Sequence, residues 1–160
     1  MKVTQAKLKS YLHYDPVSGI FTNLVSRERA SKYSRAGTIH TIAGYRYITI
    51  EGKKYAEHQW AFLYMLGRMP FSEIDHADGN TGNNRWSNLR EADRFKNLAN
   101  SRPHSKGLKG TSLTVHGTWC ARIRANGKNY HLGCFSTEQE AHAAYIAKAQ
   151  EIHGEFARAA

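Results

Sequence analysis

Carboxylates are scarce in this chain, and one long stretch has none. Against 23 Lys and Arg stand 13 Asp and Glu, a formal net charge of +10. Between Asp93 and Glu138 no acid interrupts Arg94, Lys96, Arg102, Lys106, Lys109, Arg122, Arg124 and Lys128. Such an uncompensated run makes nucleic acid or an acidic membrane surface the expected partner, because a local cationic field speeds encounter with phosphate and binds it without regard to sequence. Long apolar runs are missing too. The longest, Trp60 to Leu66, is far short of the ~20 residues a bilayer span needs. The opening MKVTQAKLKSYLHYD lacks the apolar core of a secretion signal. A membrane partner is therefore not expected, and a cytoplasmic protein is. Cysteine is limited to Cys120 and Cys134, with neither CxxC nor zinc-ribbon spacing. Both are expected to be reduced and buried as small hydrophobes in a reducing cytosol, and no structural zinc is expected.

What is present suits a folded chain. A hydrophobic content of 41% over 160 residues allows one domain or two small ones. Leu8, Tyr11 and Leu12 sit at helical spacing within residues 4–13. Asp15 to Gly19 is turn chemistry, and residues 20–36 carry no assignable pattern. Residues 43–55 read as a hairpin, with Tyr and β-branched residues flanking Glu51-Gly52. Residues 56–66 read as a helix closed by Gly67, with Trp60, Leu63 and Leu66 as its buried stripe. Residues 73–91 give strand, loop, strand, and 92–100 a helix. Residues 101–107 form a basic polar linker in which Pro103 opposes a continuous helix. Three strands follow, at 110–115, 118–125 and 128–135, with turns at His116-Gly117 and Asn126-Gly127. Thr137 to Glu140 is a capping box for an Ala-rich helix that runs to about His153 and stops at Gly154.

The chemistry concentrates in EIDHADGNTGNNRWSNLREADRFKNLAN. Asp75 stands beside His76, a Gly-containing loop follows, and Asn97 lies on the next helix. Metal-assisted hydrolysis of a phosphodiester requires three things. Water must lose a proton, the charge gathering on phosphorus must be stabilised, and the departing oxygen must be neutralised. His76 is the candidate base, since a histidine of pKa near 6.5 is available neutral at physiological pH. Asp75 and the Asn97 amide are hard oxygen donors, suited to one Mg²⁺ or, failing that, Mn²⁺. An EF-hand loop is excluded, because no Glu falls at its last position. Asn83 and Asn84 read as loop-closing residues. His58 reads as a hydrogen-bonded packing residue, and Asn100 has either DNA or the linker within reach.

These spaced residues, within about 45–100, resemble the HNH nucleases in the form found in phage and intron-encoded homing endonucleases. The resemblance implies a ββα-metal (His-Me finger) core. By it, His76 is the base, Asp75 and Asn97 bind the metal, and Asn88 braces the loop that carries the base. The last position is Asn97 rather than His, a variant found in the homing branch. Where the family often has His-Arg, this chain has His58-Gln59, so that Arg's phosphate contact is absent.

Residues 107–157 resemble the apetala-two (ethylene-response-factor) DNA-binding domain of plants and phage endonucleases. The matching words are Lys109-Gly110, Trp119 to Ile123, Leu132 to Phe135, the Ala-Ala-Tyr run and His153 to Ala157. A three-stranded sheet of this size fits the major groove. Alternation along the middle strand puts Cys120, Arg122 and Arg124 on one face and Trp119, Ala121 and Ile123 on the other. By the resemblance the Arg face reads DNA and the other packs on the helix. Lys109, Trp119, Lys128 and His131 join Arg122 and Arg124 as candidate DNA contacts. Arg46 and Lys53, with Lys54, are candidate phosphate contacts on the first hairpin.

The expected protein is thus α+β. A nuclease domain spans 1–100, a linker 101–107, and a three-stranded antiparallel sheet packed on one helix spans 108–160. Its expected activity is metal-dependent hydrolysis of double-stranded DNA at a recognised site. With one active site per chain it would nick, as a monomer rather than a homodimer. The rival is a DNA-binding regulator with a decayed nuclease core, whose mark would be loss of Asp75, His76 or Asn97. All three are present. An RNA-binding accessory protein would fit the charge but not the Asp-His to Asn spacing.

Overall fold

A computed structural model describes residues 3–27, 30–41, 44–94, 97, 100, 107–125 and 127–157. It divides into two compact units, Met1–Glu91 and Ala92–Ala160. The division falls ahead of the segment expected as a linker, of which residues 101–106 lie outside the described ones. Among the described residues no helix is long and apolar enough to cross a membrane.

The first unit opens with α1 (Gln5–Tyr11), capped where the Thr4 hydroxyl accepts from the Lys7 N–H. Strands β1 (Leu12–Asp15) and β2 (Ile20–Asn23) pair antiparallel from Leu12↔Asn23 to Asp15↔Ile20. Asp15 makes their turn, its carboxylate accepting from the Val17 N–H at 3.0 Å. A second antiparallel sheet runs β3 (Thr38–Ile39), β4 (Arg46–Ile50), β5 (Lys53–Ala56). Its β4–β5 turn has positive φ at Glu51 (49°) and Gly52 (72°), as a tight hairpin requires.

Helix α2 (Glu57–Leu66) follows directly, with the Gln59 side chain accepting from the Ala56 N–H. Gly67, at φ 72°, ends it in the left-handed region. Trp60 and Leu63 are buried as expected, but Leu66 is 48% exposed. The helix turns its Trp60 side onto Ile48, whose carbonyl accepts from Trp60 Nε1 at 2.9 Å, and Leu66 falls at the last turn beyond that cover. Leu8, Leu12, Tyr14, Phe21, Ile48, Ile50 and Trp60 form the core. Each such side chain contributes ~1.5–3 kcal/mol by leaving water. Strand β6 (Glu73–His76) pairs with β7 (Leu89–Ala92), the loop between them closing through a single 3₁₀ turn, Trp86–Asn88.

In the second unit β8 (Thr111–Leu113), β9 (Trp119–Ala125) and β10 (Lys128–Phe135) form an antiparallel sheet ordered β10-β9-β8. Helix α3 (Glu138–His153) begins in the expected capping box, Thr137 and Glu140 each accepting from the other's N–H. Ala121, Ile123 and Ala125 are buried on one side of β9, and Ala141, Tyr145 and Ala149 on α3. Gly110, at φ 80°, is obligatory there, because a Cβ would overlap the Tyr145 ring.

The cysteines correct the sequence reading. Cys120 and Cys134 are joined in a disulfide, with Cα atoms 4.0 Å apart, and Cys134 is exposed. A plain hairpin register from Lys128↔Ala125 would set Cys120 opposite Gly133. The register shift between His131 and Gly133 sets it opposite Cys134 instead. Nothing in the spacing announces that extra residue. An oxidised pair also runs against the reducing compartment expected for it.

Candidate active site and nucleic-acid interface

Asp75 and His76 end β6 with 5% and 4% of their surface exposed. Burial on this scale is costly for polar groups unless they are bonded, and both are. The Arg90 guanidinium grips Asp75 Oδ2 from β7, through Nε at 2.8 Å and Nη2 at 2.7 Å. The His76 Nε2 lies 3.1 Å from Asn84 Oδ1. Burial pulls the His76 pKa below its ordinary value, against an opposing pull from Asn84, Asp78 and Asp75. Its imidazole is therefore neutral at neutral pH, as a proton acceptor must be.

The loop carrying His76 is braced from several directions. Asn88 Nδ2 donates to Asp78 Oδ1 (3.0 Å) and to the Asn83 carbonyl (2.8 Å), while Asn88 Oδ1 accepts from the Asp78 N–H (3.0 Å). Asn83 Nδ2 donates to the other Asp78 oxygen at 2.7 Å. Asp78 is thus engaged at both oxygens by its own loop; burial acts to raise its pKa, and these bonds outweigh it and hold the pKa low. Behind the loop, Asn84 is nearly inaccessible. Its amide donates to Glu57 Oε2 (2.8 Å), and its carbonyl accepts from the Tyr14 hydroxyl (2.6 Å).

His58 packs its ring 5.2 Å from that of His76 and 5.1 Å from that of Tyr45. Burial, helped by His76, lowers its pKa to about 4. Arg46, expected at phosphate, donates to the Gly37 carbonyl at 2.6 Å and is half-buried. Lys53 is exposed on β5, and Lys54 lies over the Tyr47 ring.

Residues 55–99 match the HNH endonuclease family. The HNH segment so defined contains Glu57, Asp75, His76, Asn84, Asn88, Arg90 and Asn97. An uncharacterized HNH endonuclease of Acanthamoeba polyphaga mimivirus is 34% identical over 100 residues, covering 60% of this chain and 53% of the relative. The chain thus spans about half the length of that relative. No solved structure matches.

Asn97 belongs to the second unit, where it is helical and its N–H donates to the Asp93 carbonyl at 3.0 Å. The HNH segment crosses the division between the units. Within the described residues no group of three or more His, Cys, Asp or Glu is placed to hold a metal. The donors offered by the sequence, a carboxylate and an amide, are hard oxygens without thiolate, and this chemistry fits a hard divalent cation that completes its shell with water and phosphate oxygens. Sequence reading missed Glu57 and Arg90 and took Asn84 for a mere loop residue. Arg90 had a signal, since its strand was already expected beside that of Asp75. Glu57 had none.

Beyond the HNH segment, the second unit presents a face of its own. Arg122 pairs with His131 and Arg124 with Asn129 across β9–β10, so these four share one side of the sheet with the disulfide. Arg122, Arg124, Asn129 and His131 are all exposed, and with Tyr130 they border a hollow of about 520 Å³. Lys128 pairs with Ala125, which faces α3, so it belongs to the opposite side at the sheet's end. Trp119 is half-buried and alternates with Cys120 onto the helix side. The Lys109 carbonyl lies 2.9 Å from His142 Nδ1, and its charge depresses the His153 pKa after the larger effect of burial.

Proposed function

We propose that this chain is a metal-dependent DNA endonuclease of the HNH homing type, with a ββα-metal core and a C-terminal sheet of the apetala-two kind that grips the duplex. The reading is carried by one observation. A buried Asp-His pair, each member tied down by a neighbour, lies inside the residues that match the HNH endonuclease family.

In this reading His76 takes the proton from the attacking water. Its neutral state comes from burial, and its position from Asn84 and the loop braced by Asn88. By the family resemblance, Asp75, oriented by Arg90, and Asn97 are the residues that would hold one divalent ion, Mg²⁺ or Mn²⁺. When bound, that ion would stabilise the charge growing on phosphorus and neutralise the departing 3′-oxygen. Arg122, Arg124 and His131 supply base and phosphate contacts from the exposed sheet face, and Lys53 adds charge from β5. Arg46, Trp119 and Lys128 fit this role less well, Arg46 being held at the Gly37 carbonyl and Trp119 and Lys128 lying on the helix side of the sheet, while Lys109 stays a candidate contact. One site per chain cuts one strand, so a monomer nicks.

Plasmid relaxation tests the proposal. Nicked circles should form with Mg²⁺ or Mn²⁺ and not with excess EDTA. Binding without any cleavage in either metal would favour the regulator instead.

A further inference from the structure

An imidazole accepts a proton through one nitrogen while the other holds its own, and which is which depends on the neighbour of the second. Here that neighbour is Asn84. The Asn84 side chain offers an oxygen at one end and an NH₂ group at the other, and assigning the two ends normally relies on their partners. Glu57 removes the ambiguity. Its Oε2 lies 2.8 Å from the Asn84 amide nitrogen and 3.7 Å from Arg35 Nη2. Burial raises the Glu57 pKa and the guanidinium opposes that rise; the ionised carboxylate accepts hydrogen bonds and cannot donate one. The NH₂ end of Asn84 therefore faces Glu57, and the oxygen end faces His76 Nε2, 3.1 Å away.

We propose that Glu57, acting through Asn84, holds His76 in the Nε2–H tautomer and thereby makes Nδ1 the nitrogen that accepts the proton. The use made of Nδ1 rests on the nuclease reading above; the tautomer itself does not.

The surroundings are built to keep this pair still. Asn84 is 2% exposed, and its carbonyl is fixed by the Tyr14 hydroxyl at 2.6 Å. The β1–β2 turn presses on the same residue: Gly19 leaves no room for a Cβ against the Asn84 backbone. Glu57 is 1% exposed at the first position of α2, where a negative charge suits the helix dipole. Its Oε1 makes no well-formed hydrogen bond, although the Phe21 N–H lends the carboxylate partial support. An apolar residue of similar size would be cheaper for folding. A buried carboxylate at this point is instead what an oriented base requires, the arrangement in which a third group sets the tautomer of a catalytic histidine.

The ¹⁵N resonances of the His76 ring, read in the full-length protein while the ring is neutral, report the tautomer directly. Wild type should show Nε2–H. In E57Q the new amide can offer either end, Asn84 is freed to turn, and both His76 tautomers should appear. The cleavage kcat should then fall ~10–100-fold, with KM for DNA and the thermal midpoint little changed. The double variant E57Q/N84D restores an acceptor opposite Nε2 and should return the ring to Nε2–H, with partial recovery of kcat. If E57Q does not fold, wild type and the double variant still decide the matter. An Nδ1–H ring in wild type, or a tautomer indifferent to E57Q, overturns the proposal. A ring that behaves as described in a protein that never cuts DNA would instead sink the nuclease reading and leave the tautomer assignment standing.

Discussion

The two units treat their polar residues in opposite ways. In the first, Asp75, His76, Asn84 and Glu57 are all buried, and each is tied to a neighbour. In the second, Arg122, Arg124 and His131 stand exposed on a sheet whose other side carries the packing. Burial makes a group's proton affinity and orientation specific, at a cost in desolvation that bonding must offset. Exposure keeps a cation hydrated and mobile, ready to trade counterions for phosphate. Chemistry on a bond calls for the first arrangement, and a grip on a polyanion calls for the second. The contrast underlies the proposal that the buried residues around Asp75 and His76, with Asn97 of the second unit as a proposed metal ligand, do the cutting, and that the exposed sheet face of the second unit does the binding.

The assignment is most exposed at the metal ligands. Asp75→Ala or Asn97→Ala should abolish cleavage and weaken metal binding, seen by titrating Mg²⁺ against relaxation and Mn²⁺ against a binding signal. Cleavage that survives in excess EDTA would remove the metal from the account. His76→Ala should slow cleavage by ~10²–10⁴-fold, while DNA affinity in a gel-shift titration stays put. Near wild-type cutting by that variant would end its role as the base. On the exposed sheet face, Arg122→Ala should cost ~1–3 kcal/mol in binding if it reads a base, and relax sequence choice at one position. If it contacts only phosphate, all sequences weaken alike and the salt dependence flattens.

The smallest effect concerns folding. His58 has a pKa of about 4 in the folded protein, against ~6.5 unfolded. The unfolded chain therefore binds the proton first, so this contribution to stability is complete above the unfolded value and is lost as pH falls toward the folded one. By pH 6 the loss should be on the order of 1 kcal/mol, measurable as a lower denaturant midpoint. Replacing His58 by Phe should make that slope shallower, leaving the part that His76 contributes, and an unchanged slope would mean that the His58 ring supplies none of it.

Much of this was legible in the residues, and what was not has identifiable causes. The Glu51-Gly52 hairpin, the α2 stop at Gly67 and the Thr137 capping box are local chemistry, and each lies where the sequence set it. The segregation of Arg122 and Arg124 from Ala121 and Ile123 follows from strand alternation alone. Glu57 is different, because its meaning depends on Asn84, a residue distant in the chain that meets it only through the fold. The disulfide was hidden by one extra residue in β10, and the exposure of Leu66 by the limited extent of the core it was expected to cover. Patterns of period two or 3.6 carry no information about such meetings.

One experiment reads both halves of the division at once. Single-turnover cleavage and equilibrium DNA affinity can be measured on the same duplex for wild type, H76A and R122A/R124A. H76A should lose cutting and keep its affinity, and R122A/R124A should lose affinity and keep its cutting rate at saturating protein. If either variant moves both quantities together, the separation of cutting from binding is contradicted.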